Sequence, residues 1–388
     1  MTRRLARPAA ALMVLAAIFR VESLLGVGVA VGMWMIVAWL APRAAIRGVD
    51  ATRSHPSRVM WGDRFDVVLD VISDSRLRWM SVIDVTPFDL GDSDRAVVSL
   101  DPGVGHTRRR SIVARRRGLH TLGPTMVTTG DLFSIGSHDR QVGGTSRVLV
   151  YPQMVPVGDI AVTPDSPEPV LPTTRPLFFD PHRIRGVRDY QPGDPMRAIH
   201  WTSSAASGAL VVKELEPAIS KIVVVSVDMA QASHPRSGRH RSGELAVIVG
   251  ASLANHFVTN QRRPVGIRLA GSDAVTGDSV DVDRPPRGDH AHLMETLEYL
   301  ARIRLDRERT SHRLLDPHGL GFGTTLFHVA GILPPGAASE LAALRRAGVS
   351  IHAIVTGGPP EDDVRSMLAS ERIGLAVIDR SSDLGVGQ

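Results

Sequence analysis

The residues best able to do chemistry in this chain are crowded into one stretch, Arg185 to Glu216. Arg188, Arg197 and Lys213 are fixed cations that could hold an anion, and His200 could move a proton. Asp194 and Glu214 supply carboxylates, while Tyr190 and Trp201 offer aromatic surface. Pro192-Gly193-Asp194 reads as a tight turn. Aspartate suits a helix cap and proline the first helical position, so Asp194 is expected to cap a short helix beginning near Pro195. Arg188, Arg197 and His200 would then face Asp189, Asp194 and Glu214 or Glu216. Two readings stand side by side. In one, Arg188, Arg197, His200 and Lys213 form a face that binds an anion or a partner. In the other, they belong to a satisfied ion-pair network, with Tyr190 and Trp201 as packing anchors.

Elsewhere the signals for catalysis are thin. The chain has no cysteine, which removes thiolate metal sites, disulfides and cysteine nucleophiles. No G-x-S-x-G elbow, H-E-x-x-H pair or P-loop occurs. His234, His240, His290 and His292 lie in polar, loop-like sequence and are expected to be solvated. Asp362 and Asp363 suit the first turn of a helix, where carboxylates complement the dipole. These patterns predict a protein that is not an enzyme.

The elements that must position these residues differ along the chain. Leu24 to Ala41 carries no charge over roughly 18 residues, enough to cross a bilayer core. Trp34 and Trp39 sit toward one end, and Arg43 and Arg47 come directly after. Pro8 to Phe19 is apolar but shorter, so residues 1–47 read as a transmembrane hairpin, with spans at about 8–20 and 24–41. Arg3, Arg4 and Arg7 precede it, and Arg43, Arg47 and Arg53 lie on its other flank. The positive-inside rule therefore places both flanks and the rest of the chain in the cytoplasm, with the protein in the cell membrane.

Residues 48–152 alternate in short runs such as Arg64–Val71, Trp79–Val85 and His106–Ala114, separated by turn residues. That pattern predicts an antiparallel β-sandwich. Residues 153–184 are rich in proline and read as a linker. From residue 217 to 388 strands alternate with helices, which predicts a mostly parallel sheet with helices on both faces. Gly271–Asp289 would be a long loop or hairpin insertion. The net charge is +5 and aromatics are only 4%, so nucleic-acid binding is not expected.

The pattern R-x-Y-x-P-G-D-x-x-R-x-I-H-W from Arg188, followed by S-A-x-x-G-x-L-V-V-K-E from Ser204, resembles the signature of the domain of unknown function 58 family. Arg117-Gly118, Gly123-Pro124 and Asp131-Leu132-Phe133 are similar to that family's middle segment. The resemblance implies a membrane hairpin, a β-rich middle, the motif at 185–216 and a von Willebrand factor A-like, Rossmann-like domain. It also implies partnership with a MoxR-type AAA+ ATPase, with no assigned chemistry of its own. Domains of the von Willebrand A type can hold a divalent cation through D-x-S-x-S after the first strand. Here Asp228 is in place, but Ala230 and Ala232 stand where the hydroxyls belong. One carboxylate and waters could still take Mg²⁺, though no cofactor is expected. The family often has basic residues near Thr202 and Ala206, and both are neutral here, which weakens phosphate binding. The expected function is a membrane-anchored scaffold. The alternatives are a metal-assisted hydrolase centred on Asp228 and the motif, or an anionic-lipid-binding module.

Overall fold

A computed structural model describes residues 22–130, 137–158, 179–192, 194–217, 222–307, 314–321 and 323–384. Within these, the side chains of 22–25, 38, 39, 179–185, 197 and 214–217 are not described. The chain is mixed α/β and divides into two compact units, one running through Met154 with the short stretches Asp273–Gly277 and Leu297–Ile303, the other holding the remainder.

The first unit begins with an apolar helix, α1 (Glu22–Ala45). Its 24 residues rise about 36 Å, enough for the hydrocarbon core of a bilayer. Among the described residues it is one helix long and apolar enough to span a membrane. The other expected span, residues 8–20, lies outside the described residues.

Ten strands come next: β1 (Val49–Ser54), β2 (Arg58–Val59), β3 (Arg64–Ser73), β4 (Leu77–Asp84), β5 (Asp94–Leu100), β6 (His106–Val113), β7 (Gly118–Leu122), β8 (Thr125–Gly130), β9 (Ser137–Val142) and β10 (Ser146–Val150). They form three sheets, ordered β1-β3-β6, β2-β10-β7 and β5-β4-β8-β9. Strand β3 buries alternate residues, Phe65, Val67, Leu69 and Val71, as a strand with one core face must. Leu69 and Val71 pack with Met80, Val82, Val98 and Val127 of the third sheet. Phe65 and Val67 pack with Leu122, Val148 and Val150 of the second. Sheets thus pack on one another through two apolar clusters, and the strands pair antiparallel as expected except β2 and β10, which run parallel.

A buried ion pair ties two of these sheets together. Arg53 on β1 meets Asp84 on β4, each side chain about 5% exposed. The guanidinium also donates to Thr125 Oγ1 at 3.0 Å and to the carbonyl of Leu122 at 3.3 Å. Arg53 therefore belongs to the core, and the flanking charge after α1 reduces to Arg43 and Arg47.

In the second unit, β11 (Phe179–Asp189) and β12 (Val211–Pro217) form an antiparallel pair. Strand β11 thus includes Phe179–Ile184 of the expected linker, whose residues 159–178 lie outside the described residues. A larger sheet comprises β13 (Val223–Asp228), β14 (Val265–Asp273), β15 (Ser279–Arg287), β16 (Ile303–Arg304), β17 (Thr325–Ala330), β18 (Ser350–Val355) and β19 (Gly374–Val377). Its order is β15-β14-β13-β17-β18-β19, with β16 pairing β14. All the neighbours from β14 to β19 run parallel, while β15 is antiparallel to β14. Gly271–Asp289 is accordingly a hairpin extension of the sheet.

All six residues of β13 are buried, as expected for a central parallel strand covered on both faces. Helices α2 (Trp201–Ser207), α3 (Arg239–Asn255), α5 (Pro335–Arg346) and α6 (Asp362–Ser370) belong to this unit, as does α4 (His290–Arg302) up to Thr296, its last turns being grouped with the first unit. Leu341 and Leu344 of α5 and Leu368 of α6 pack on Val224, Leu326, Ile351 and Ala353. On the opposite face Phe257, just beyond α3, meets the ring of Phe327 at 5.1 Å.

Candidate functional site

Two places in the second unit gather the residues singled out by sequence, and they are built in opposite ways. The first is the β11–β12 pair and the segment joining its strands. Arg188 donates to both carboxylate oxygens of Asp194, at 2.7 Å each. Asp194 also accepts the Gln191 N–H at 3.0 Å, and its own N–H donates to the Gln191 carbonyl at 3.0 Å, closing the expected turn. The Arg188 hydrogen bond, then that of Gln191, holds the Asp194 carboxyl below the usual carboxylate range.

Asp194 caps no helix. The turn after Pro195 is a short 3₁₀ segment, Met196–Ala198, without a side-chain cap. The α-helix starts later, at Trp201, and His200 caps it, its Nδ1 accepting the Ser203 N–H at 3.1 Å. The carboxylate is claimed by the closer guanidinium, and the imidazole takes the orphan helix donor instead. Gly208 ends the helix with φ 69°, a left-handed geometry that suits glycine, and its N–H returns to the Ser204 carbonyl. Ser204 is buried and accepts the Val211 N–H at 3.0 Å, fixing α2 to β12.

Arg188 and Lys213, two of the four candidate cations, do not converge. Val187 lies opposite Lys213 and Arg188 opposite Val212, so Arg188 and Lys213 project to opposite faces of the two-stranded sheet. His200 spends one ring nitrogen on its cap. The side chains of Arg197 and Glu214 lie outside the described residues. Tyr190 is half-buried, and its N–H bonds the Leu210 carbonyl at 2.9 Å. Trp201 is 63% exposed and so is no packing anchor; Val187, Met196 and Leu210 are exposed as well. The surface of this motif therefore combines apolar side chains with one ordered ion pair.

The second place is the carboxyl end of β13. Strand order reverses direction there, between β13 and β17, which is where open α/β sheets form a ligand crevice. Here protein atoms fill it. Asp228 is 6% exposed; its Oδ1 accepts the Ala230 N–H at 2.8 Å and its Oδ2 the Ser233 hydroxyl at 2.6 Å. The spacing of Ser233 differs from that of a cation-binding serine, yet the loop curls back to bring its hydroxyl to the carboxylate.

His234 is 2% exposed, contrary to the solvated position expected for it. Its Nε2 donates to the Asp228 carbonyl at 2.8 Å, and its Nδ1 lies 2.9 Å from Ser242 Oγ. Ser242 in turn meets Thr356 Oγ1 at 3.0 Å. Burial pushes the His234 imidazole below its ordinary value, so it is neutral and can accept the serine proton. Gly331 seals the arrangement. A Cβ there would lie 2.3 Å from His234 Nδ1 and 2.6 Å from Ser242 Oγ. His292 is buried too, its Nε2 3.0 Å from the Val265 carbonyl, whereas His240 and His290 are exposed as expected. Among the described residues no three His, Cys, Asp or Glu side chains gather as a metal site.

One further buried polar pair had no signal in the sequence. Ser226 Oγ lies 3.1 Å from His328 Nδ1 across β13 and β17, and burial lowers the His328 pKa to about 4.

Residues 186–321 match the family model described as "Protein of unknown function DUF58". Over this segment, about a third of the chain, the sequence is similar to that family. Comparison with curated proteins gives no match. Solved structures resemble only a part of it. The alkylpurine DNA glycosylase AlkC of Pseudomonas fluorescens is 15% identical at a TM-score of 0.20, over 26% of this chain and 30% of that one. A cohesin module of a Clostridium perfringens family 33 glycoside hydrolase is 11% identical at 0.21, over 26% and 96%. The CARDB domain of a Pyrococcus furiosus protein is 14% identical at 0.20, over 26% and 94%. The chain spans less than a third of the glycosylase and 16% of a similar Listeria innocua β-glucosidase. At such scores none of these likenesses bears on function.

Proposed function

We propose that this protein is a non-enzymatic, membrane-anchored scaffold whose β11–β12 motif is its partner-binding surface. The observation that carries the reading is the contrast between the two sites. The crevice where a catalytic or metal-binding centre would sit is filled by Asp228, Ser233, His234, Ser242 and Thr356, all buried and bonded to one another or to backbone. The motif instead turns Val187, Met196, Trp201 and Leu210 outward beside the Arg188–Asp194 pair. Aromatic, methionine and arginine side chains are the types enriched in protein interfaces.

The sheet order, with one antiparallel edge strand beside β14, supports a von Willebrand A-like domain that has lost its cation ligands. Apolar helix α1 supports membrane anchoring, and Arg43 and Arg47 favour the cytoplasmic side for the β-rich unit and the α/β unit beyond it. The partner suggested by family resemblance is a MoxR-type AAA+ ATPase. The test is co-purification of that ATPase with the detergent-solubilised chain. Wild type should retain it, while Trp201→Ala combined with Met196→Ala, on exposed positions, should lose it without a change in melting temperature. Equal retention by both would reject the motif as the binding surface.

A further inference from the structure

The junction between α1 and the β-rich unit holds no slack. Helix α1 ends at Ala45, a 3₁₀ turn covers Ile46–Gly48, and β1 begins at Val49. Ile46 is buried in the same core as Val49, Leu69 and Val71. Arg140 on β9 clamps this turn, donating to the carbonyls of Ile46 at 2.9 Å, of Arg47, and of Val49 at 3.3 Å. Gly48 accepts the Asp74 N–H at 3.1 Å, so the β3–β4 turn abuts the end of the helix. Gly103 in the β5–β6 turn donates to the Ser73 carbonyl at 2.9 Å, placing that turn alongside. A helix coupled this rigidly fixes which end of the unit is nearest to whatever surrounds the helix.

That end carries an unusual set of side chains. Trp79 is 65% exposed although it lies in β4 between buried Leu77 and Met80. A register irregularity falls between those two residues, and Trp79 has φ 55°, a left-handed geometry rare for a bulky residue. The bulge breaks the alternation and leaves the indole outside the core. Ile72 and Val104 are exposed at the same end, and so are the guanidinium-bearing residues Arg47 and Arg78. Indole rings favour the bilayer interface, and arginines near a span favour anionic headgroups. The far end is built differently. Trp61 precedes β3, whose ten residues carry the chain roughly 30 Å away, and its indole N–H donates to the Arg115 carbonyl at 2.9 Å.

We propose that this end of the β-rich unit is a lipid-contacting surface, with Trp79 seated at the headgroup level of an anionic bilayer and Arg47 and Arg78 facing the lipid phosphates. The proposal rests on the membrane-spanning reading of α1 and adds a fixed orientation to it. Three full-length variants, each keeping one of Trp34, Trp61 or Trp79 with the other four tryptophans changed to phenylalanine, would be reconstituted in phosphatidylcholine–phosphatidylglycerol vesicles. Quenching by a lipid brominated near the top of its acyl chains would then be read. Trp34 and Trp79 should lose emission, and Trp61 should keep it. Quenching of Trp34 with Trp79 and Trp61 both bright would overturn the surface but leave the span. Quenching of Trp61 as strongly as Trp79 would overturn the orientation. No quenching at any position would overturn the span and the surface together.

Discussion

The β11–β12 motif and the end of β13 use similar residue types, a carboxylate beside a histidine and small hydroxyl residues, to opposite ends. In the motif the carboxylate of Asp194 pairs with Arg188 at the surface, and His200 merely starts a helix. At β13 the carboxylate of Asp228 is buried and bonded to a hydroxyl and a backbone N–H, and His234 is held neutral by burial. A polar group in the open is cheap to alter, because water replaces whatever is removed. A buried one is costly, because its partners are stranded. The difference separates a region free to serve as an interface from one committed to holding the sheet together.

Acid should expose that difference most strongly. His328 has a folded pKa of about 4 against 6.5 for the free side chain. The unfolded chain therefore binds the proton first, and stability falls as pH drops from 6.5 toward 4, with no further loss from this group below that. The full effect is about 3 kcal/mol, at roughly 1.4 kcal/mol per pH unit. Burial lowers His234 and His352 as well, which adds in the same direction. The Arg188–Asp194 pair behaves otherwise. Its carboxyl is held below 3.8, so its contribution is present above that pH and is lost only as pH falls through the lowered value. Urea denaturation between pH 7 and pH 4, followed by near-ultraviolet dichroism, should show the loss; a flat profile would mean that His328 is not buried as described.

Asp228→Ala comes next. It strands the Ser233 hydroxyl and the Ala230 N–H in a buried site, and should cost roughly 2–3 kcal/mol in the same assay. A neutral result would break the comparison, because Asp228 would then be dispensable to the fold and its presence would call for a ligand. The smallest effect is expected of Arg188→Ala, which removes one side of a surface pair. The unfolding midpoint should hold, while the Asp194 carboxyl, tracked by carbon-detected NMR titration, returns toward the ordinary aspartate value. A large loss of stability would place the motif with the buried network after all.

Much of the fold is legible in the sequence because it depends on local pattern. The alternation of Phe65, Val67, Leu69 and Val71 predicts β3, and Val223, Val224, Val225 and Val227 of β13 predict a strand buried on both faces. Strands β1 and β9 leave little trace. They sit at sheet edges, and β9 reads Ser-His-Asp-Arg-Gln-Val, a polar run whose pairing is set by β8. The ion pair of Arg53 and Asp84 joins residues 31 apart, a contact that only the packing of two sheets creates. At the candidate sites the contacts that the structure gives these residues differ from those their spacing suggests. Spacing suits Asp194 to a cap, but a guanidinium six residues back competes better. His234 sits among Ser233, Pro235 and Arg236, a solvent-like context, yet the loop folds over the strand ends and Gly331 leaves room for the ring.

The central proposal is that the end of β13, lined by the protein's own buried and bonded groups, takes no cation. Titrating Mg²⁺, then Mn²⁺, into the detergent-solubilised full-length chain, by calorimetry and by thermal melting, tests that most directly. No saturable heat and no change in melting temperature are expected. Saturable uptake that raises the melting temperature and vanishes in Asp228→Asn would contradict the account and make the crevice a working metal site.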